Sequence, residues 1–125
     1  FIQVVGGVPH EQIPEWLDKA DIFINTTNYD TAPRSVLEAM ANGLCVVSTN
    51  VGGIPFLLKD EVDCLLVSPD DYEAMAHAIL RILTEPNLAE HLSTNARNST
   101  LELDWSTILP QWERLFTEVI EKEKA

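Results

Sequence analysis

Short apolar runs alternate with helix-patterned segments at a spacing that fits only a layered α/β fold. Phe1–Val5 (FIQVV), Asp21–Asn25 (DIFIN), Cys45–Ser48 (CVVS) and Cys64–Val67 (CLLV) each have the length and side-chain type of a strand. CVVS does not alternate apolar with polar residues, which marks a strand buried on both faces. Between these runs the period changes. Glu11–Lys19 places Ile13, Trp16, Leu17 and Ala20 on one side of a helix, with Pro14 in the first turn, where a missing N–H costs little. Ser35–Asn42 is a second helix, and Gly43 stands where a helix end needs a left-handed residue. Ile54–Lys59 is a third, short one. Strand, helix and strand at this spacing dictate a parallel sheet of about four strands with right-handed crossovers.

Beyond Val67 the pattern is helical. Asp70 is the expected cap of a run in which Tyr72, Met75, Ile79, Ile82 and Leu83 form one stripe, and Pro86 stops it. Asn87–Arg97 is a further helix. A last one begins near Ser106, with Ile108, Leu109, Trp112, Leu115, Phe116, Val119 and Ile120 in register. Helical periodicity alone assigns the Met75 and Trp112 stripes to the core. The charged tail Glu121–Ala125 is expected to fray.

Bulk properties narrow the partners. The 125 residues suffice for one domain, and 46% apolar residues suffice for a core. A net charge of -12 argues against nucleic acid and against an anionic lipid surface, both of which need clustered Lys and Arg. Of eight basic residues, only Arg34 lies between Asp30 and Gly53. Cys45 and Cys64 fall in buried-strand patterns and read as reduced core thiols of a cytoplasmic protein. No run approaches the ~20 apolar residues of a membrane span. The chain opens on Phe1 within an apolar run, as a segment of something longer would, so residues 1–125 are expected to be a single truncated domain. The first strand would then be an exposed sheet edge, through which the fragment is expected to dimerise.

Chemistry concentrates in NYDTAPRSVLE. Asp30 lies on the loop after a strand and Glu38 on the first turn of the next helix, with seven residues between them. Both face the crevice at the carboxyl edge of the sheet, where open α/β folds bind ligands. The helix start adds free N–H groups and a positive dipole end, which favour an anion. Two acids and such a helix suit a ligand with hydroxyls and phosphate. The alternative for Glu38 is a capping box with Ser35, and for Asp30 a turn-forming loop acid. Gly52-Gly53 flanks the same crevice, or is simply a tight turn. The loop Gly6–His10 is placed to meet a nucleobase through its backbone. His10 itself is a ligand contact or a solvated loop residue. His10, His77 and His91 have no metal spacing, and no nucleotide-binding glycine motif of the GxGxxG or P-loop kind is present.

A longer pattern surrounds these residues. Glu38 is followed by Ala39-Met40-Ala41-Asn42-Gly43-Leu44-Cys45-Val46-Val47 and then Gly52-Gly53-Ile54-Pro55. Upstream stands Lys19-Ala20-Asp21-Ile22-Phe23-Ile24; downstream stand Leu65-Leu66-Val67-Ser68-Pro69-Asp70 and Asp104-Trp105-Ser106. In this order the chain resembles the C-terminal, donor-binding domain of retaining glycosyltransferases of the GT-B fold, family 4 type (group 1). The resemblance implies a Rossmann-like sheet with a helical C-terminal end and a nucleotide-diphosphate sugar as co-substrate. It implies no cofactor and no required metal. It also implies an N-terminal acceptor-binding domain outside this chain, with the full-length enzyme cytoplasmic or peripheral to the membrane. Carried residue by residue, it implies that Asp30 is the catalytic acid at the donor sugar, together with Thr31, Ala32, Pro33 and Arg34. Glu38 and Ser35, with Gly6 and Gly7, are expected at the ribose and nucleotide. The departures are Asp30-Thr31-Ala32-Pro33 where the family has Glu-Gly-Phe-Gly, Thr26-Thr27 where it often has Pro-Ser, and Phe56 where Glu is frequent. Pro33 has no N–H to donate. The alternative is a non-catalytic α/β module, binding nucleotide or protein, derived from such an enzyme.

Overall fold

Cys45–Thr49 (β2) is buried at every position and organises the fold. In this computed structural model, which describes residues 2–124, β2 lies between Ile22–Asn25 (β1) and Leu65–Val67 (β3) in a parallel sheet of order β1-β2-β3. The register pairs Ile22 with Cys45 and Val47 with Leu65. Side chains of β2 alternate between two cores. Val46 joins Val36, Met40, Leu44, Ile54 and Leu58 on one face. Cys45 and Val47 join Leu65, Ala78, Ile82 and Leu92 on the other. A strand that feeds two cores has no polar face, which is why CVVS carries no alternation.

The helices are Ile13–Leu17 (α1), Arg34–Ala41 (α2), Ile54–Leu57 (α3), Tyr72–Thr84 (α4), Leu88–Leu101 (α5) and Trp105–Lys124 (α6). A 3-10 turn, His10–Gln12, precedes α1. Helix α2 ends as expected. Gly43 has φ +83°, its N–H donates to the Met40 carbonyl, and the Leu44 N–H donates to Ala39. These two bonds satisfy carbonyls the helix leaves open, and buried Leu44 seals the turn. Helix α5 touches both cores, through Leu92 and Ala96. Cys45 and Cys64 are buried, free thiols.

Several expectations are corrected. The sheet has three strands. Residues 2–5 of FIQVV form none of them, and Phe1 lies outside the described residues. The run has the composition of a strand, but a strand exists only as one of a pair, and among the described residues nothing pairs with this one. The free edges are therefore β1 and β3. The first helix is shorter than Glu11–Lys19. Helix α4 is capped by Asp71, whose Oδ1 accepts from the Ala74 N–H at 2.9 Å, while Asp70 turns the chain with φ +63°. The charged tail continues α6 as far as Lys124. Of the Met75 stripe, Met75, Ile79 and Ile82 pack into or against the core, while Tyr72 and Leu83 at its ends are exposed. The Trp112 stripe does not pack there: Leu109, Trp112, Leu115, Phe116, Val119 and Ile120 are exposed, and half-buried Ile108 joins neither core.

Candidate functional site

The three parallel strands deliver three loops to one edge of the sheet: residues 26–33 after β1, 50–53 after β2 and 68–71 after β3. The first of these is held firmly. Thr27 Oγ1 donates to the Tyr29 carbonyl at 2.9 Å, and Thr49 Oγ1 donates to the Thr27 carbonyl. Asp30 Oδ1 accepts the Ala32 N–H at 3.1 Å, which bends the chain toward α2. Its backbone carbonyl accepts the Gly53 N–H at 2.9 Å. Asp30 is half-buried, and its Oδ2 has no partner among the described residues.

The two loops touch so closely that only glycine fits. A Cβ on Gly52 would lie 2.0 Å from the Asp30 carbonyl oxygen, and one on Gly53 would lie 1.9 Å from that of Thr31. Gly52 also has φ +56°. The Gly-Gly pair is thus both a turn and a clamp on the loop that carries Asp30.

Helix α2 begins at Arg34, one residue earlier than its pattern implied. Pro33 is the N-cap, and its carbonyl accepts from Val36 and Leu37. The N–H groups of Arg34 and Ser35 have no partner among the described residues, so the helix presents two donors at its positive end. Pro33 is buried and its carbonyl is used, so it shapes the loop rather than touching a ligand with its ring. Thr31, Ala32, Arg34 and Ser35 are exposed. The capping box is corrected: Ser35 does not cap, and Glu38 Oε1 accepts from Arg34 Nε at 2.9 Å one turn away.

His10 joins this pair, which its position in a loop did not reveal. Its Nε2 lies 2.9 Å from Arg34 Nη2, and its Nδ1 lies 3.9 Å from Glu38 Oε1. Pro9 starts the 3-10 turn that carries His10, but nothing local in the sequence names this contact. Glu38 and His10 sit at the rim of a cleft of about 380 Å³ between α1 and α2, floored by Ile13, Pro14, Leu17 and Ala41. Gly6 and Gly7, exposed and just upstream, do not line it. A second hollow, of about 340 Å³, opens beside the start of α4 between Thr26, Thr49, Ser68 and Tyr72. It shares no residue with the Asp30–Glu38 group. Among the described residues no cluster of His, Cys, Asp or Glu could hold a metal ion, and no helix is long and apolar enough to cross a membrane.

A parallel sheet with a clamped acidic loop and an open helix N-terminus at its carboxyl edge has the layout of the open α/β folds that bind ligands there. Comparison with known proteins gives the family. The model of the family described as glycosyl transferases group 1 matches residues 2–99, and the chain belongs to that family. The amylovoran biosynthesis glycosyltransferase AmsK of Erwinia amylovora is 37% identical over 87 residues, 65% of this chain and 21% of that protein. A sucrose-phosphate synthase from Thermosynechococcus elongatus superposes with TM-score 0.82 and 33% identity over 94% of this chain and 30% of that one. Anabaena Alr3699/HepE, solved in complex with UDP-glucose, superposes with TM-score 0.76 over 85% of this chain and 30% of its own; at 23% identity it supports the fold alone. The chain spans about a fifth of the length of the AmsK relative.

Proposed function

We propose that this chain is the donor-binding portion of a retaining glycosyltransferase that moves a sugar from a nucleotide-diphosphate sugar to a glycan, lipid or other acceptor. The observation that carries this reading is the convergence of the Asp30 loop, the Gly52-Gly53 clamp and the open α2 N-terminus at one sheet edge, in a chain of the group 1 family. Each part has a physical task. The two free N–H groups of α2 meet phosphate oxygens. Asp30, with Oδ2 free, accepts from hydroxyls of the donor sugar, with Thr31, Ala32 and Arg34 around it. Glu38, with Ser35, accepts from the ribose, and Gly6 and Gly7 approach the nucleotide with bare backbone. UDP and UDP-glucose, with which the Anabaena neighbour of the same fold was solved, are the first probes to try. The names of relatives such as AmsK support polysaccharide biosynthesis as the setting. The free, buried cysteines favour a reducing, cytoplasmic location, with or without peripheral attachment to a membrane.

Transfer itself needs an acceptor-binding domain opposite this edge. The chain alone is therefore expected to bind donor weakly and to transfer nothing. Titrating the labelled chain with UDP and UDP-glucose by NMR checks the first part. Shifts should cluster at residues 30–38 and at Gly6 and Gly7, and Glu38→Ala should weaken binding by about tenfold. Shift changes confined to the Thr26–Tyr72 hollow would move the site elsewhere. Sugar transfer by the isolated chain would refute the division of labour.

A further inference from the structure

Residues 2–9 carry Gly6 and Gly7 but contain no strand or helix to hold them in place. Among the described residues, one hydrogen bond reaches from residues 2–12 to an element beyond α1, and it is the contact between Arg34 Nη2 and His10 Nε2 at 2.9 Å. A guanidinium only donates, so this contact requires Nε2 as acceptor and hence the tautomer with its proton on Nδ1. That second nitrogen faces Glu38 Oε1 at 3.9 Å, the same oxygen that takes Arg34 Nε at 2.9 Å. One guanidinium thus holds the Glu38 carboxylate through Nε and the His10 ring through Nη2.

We infer that His10 is a positioning residue for the nucleotide site: it latches the glycine-bearing 6–10 loop to α2 and holds Arg34 and Glu38 in the arrangement that meets the ribose. This rests on the reading of Glu38 as a nucleotide contact. The latch has a built-in sensitivity. Protonating the ring removes the acceptor at Nε2 and sets a second cation 2.9 Å from Arg34, while Glu38 attracts it only from 3.9 Å. Repulsion at the shorter distance exceeds attraction at the longer one, so charge on the ring weakens the contact that ties the loop to α2. The other charged residue lining the cleft between α1 and α2 is Glu11 of the same turn. Helix α1 contributes Ile13, Pro14 and Leu17 to the cleft, and its flanking Asp18 is occupied by Asn42 Nδ2 at 2.8 Å.

The test uses the whole chain, UDP as probe, and two variants. His10→Gln keeps an acceptor for Arg34 but does not titrate; His10→Ala removes the acceptor. Between about pH 8 and pH 5 the UDP affinity of the wild type should fall roughly three- to tenfold relative to His10→Gln, which corrects for titration of the UDP phosphate itself. His10→Ala should be weaker than either at high pH. Imidazole nitrogen shifts, read without ligand, should show Nε2 as the unprotonated acceptor at high pH and should move in Arg34→Gln. Parallel pH profiles for wild type and His10→Gln, or a proton on Nε2 at high pH, would overturn the latch while leaving the donor site standing. Correct nitrogen shifts with no UDP binding at any pH would overturn the donor-site reading and the role of His10 with it.

Discussion

Gly43 and Gly53 differ in what a methyl group would cost. Gly43 has φ +83° with nothing within 4 Å of an added Cβ, so Gly43→Ala pays only the strain of a left-handed alanine, about 1 kcal/mol. Gly53 has an ordinary φ of -86°, but its Cβ would stand 1.9 Å from the Thr31 carbonyl oxygen. Gly53→Ala must push the two loops apart, and is expected to cost about 3 kcal/mol and to weaken UDP binding as well. Urea midpoints of the two variants check this, and equal losses would show that the loops are not clamped. The same residues show how far the sequence could be read. The Gly43 turn follows from pattern alone, because a helix end is local. The Gly53 contact joins residues more than twenty positions apart, so the sequence showed a glycine loop and not what it touches. His10 is the same case: its partners lie on a helix after the first strand of the sheet, and no local signal names them. Buried Cys64 follows the local pattern, and burial, with Asp63 beside it, pushes its thiol above the ordinary range. Both cysteines should react with a thiol reagent only as fast as the chain unfolds, and rapid labelling of the native protein would refute their burial.

Besides its core contacts, helix α4 is tied to the turn before β3 by one surface cluster. Arg81 Nε donates to Glu85 at 2.7 Å, and its Nη1 and Nη2 grip the Glu61 carboxylate on the turn before β3. These hydrogen bonds hold both Glu61 and Glu85 below the usual carboxylate value of 4.5. A carboxylate with a depressed folded pKa adds stability above its unfolded pKa and loses it as pH falls through the folded value. The native chain should therefore lose stability on acidification below about pH 4.5, and Arg81→Gln should flatten that slope while costing little at neutral pH. Urea midpoints at the two pH values measure it; an unchanged slope in Arg81→Gln would assign the acid loss to other groups. The interior counterpart is Asp63, fully buried, which accepts from the Lys59 N–H at 2.8 Å and from Ser99 Oγ at 3.0 Å. It ties the end of α5 to the loop before β3. Periodicity located most of these elements, because each is amphipathic over its own length. Their exact caps were harder: Asp70 and Asp71 both suit a cap, and backbone direction decided between them. FIQVV misled for a different reason, since strand formation depends on a neighbour that composition does not report.

For the whole molecule, the unusual feature is α6. Helices α2, α4 and α5 each place apolar residues in the two cores; here seven large residues, from Trp105 at 74% exposed to Leu115 at 48%, face solvent along a helix that begins after the family match ends at residue 99. Asp104 starts the helix, its Oδ1 accepting from the Ser106 N–H at 2.8 Å and from Ser106 Oγ, which holds its carboxyl below the usual range. Periodicity assigned this stripe to the core because a sequence shows that a face is apolar and not what lies against it. If α6 adds nothing to the two cores, removing residues 110–125 should leave the thermal midpoint within about 2 °C of the intact chain, against the several degrees that a loss of ~1 kcal/mol would shift a domain of this size. The same exposed stripe drives association, and the net charge of -12 opposes it. Raising salt from about 0.05 to about 1 M shortens the screening length severalfold and weakens that repulsion. Sedimentation should then show concentration-dependent association of the intact chain that grows with salt and is absent from the truncated one. A truncated chain that melts far earlier would mean that α6 folds back onto the sheet. Association that survives truncation would transfer the sticky surface to the open edge of β1, where Ile24 lies exposed.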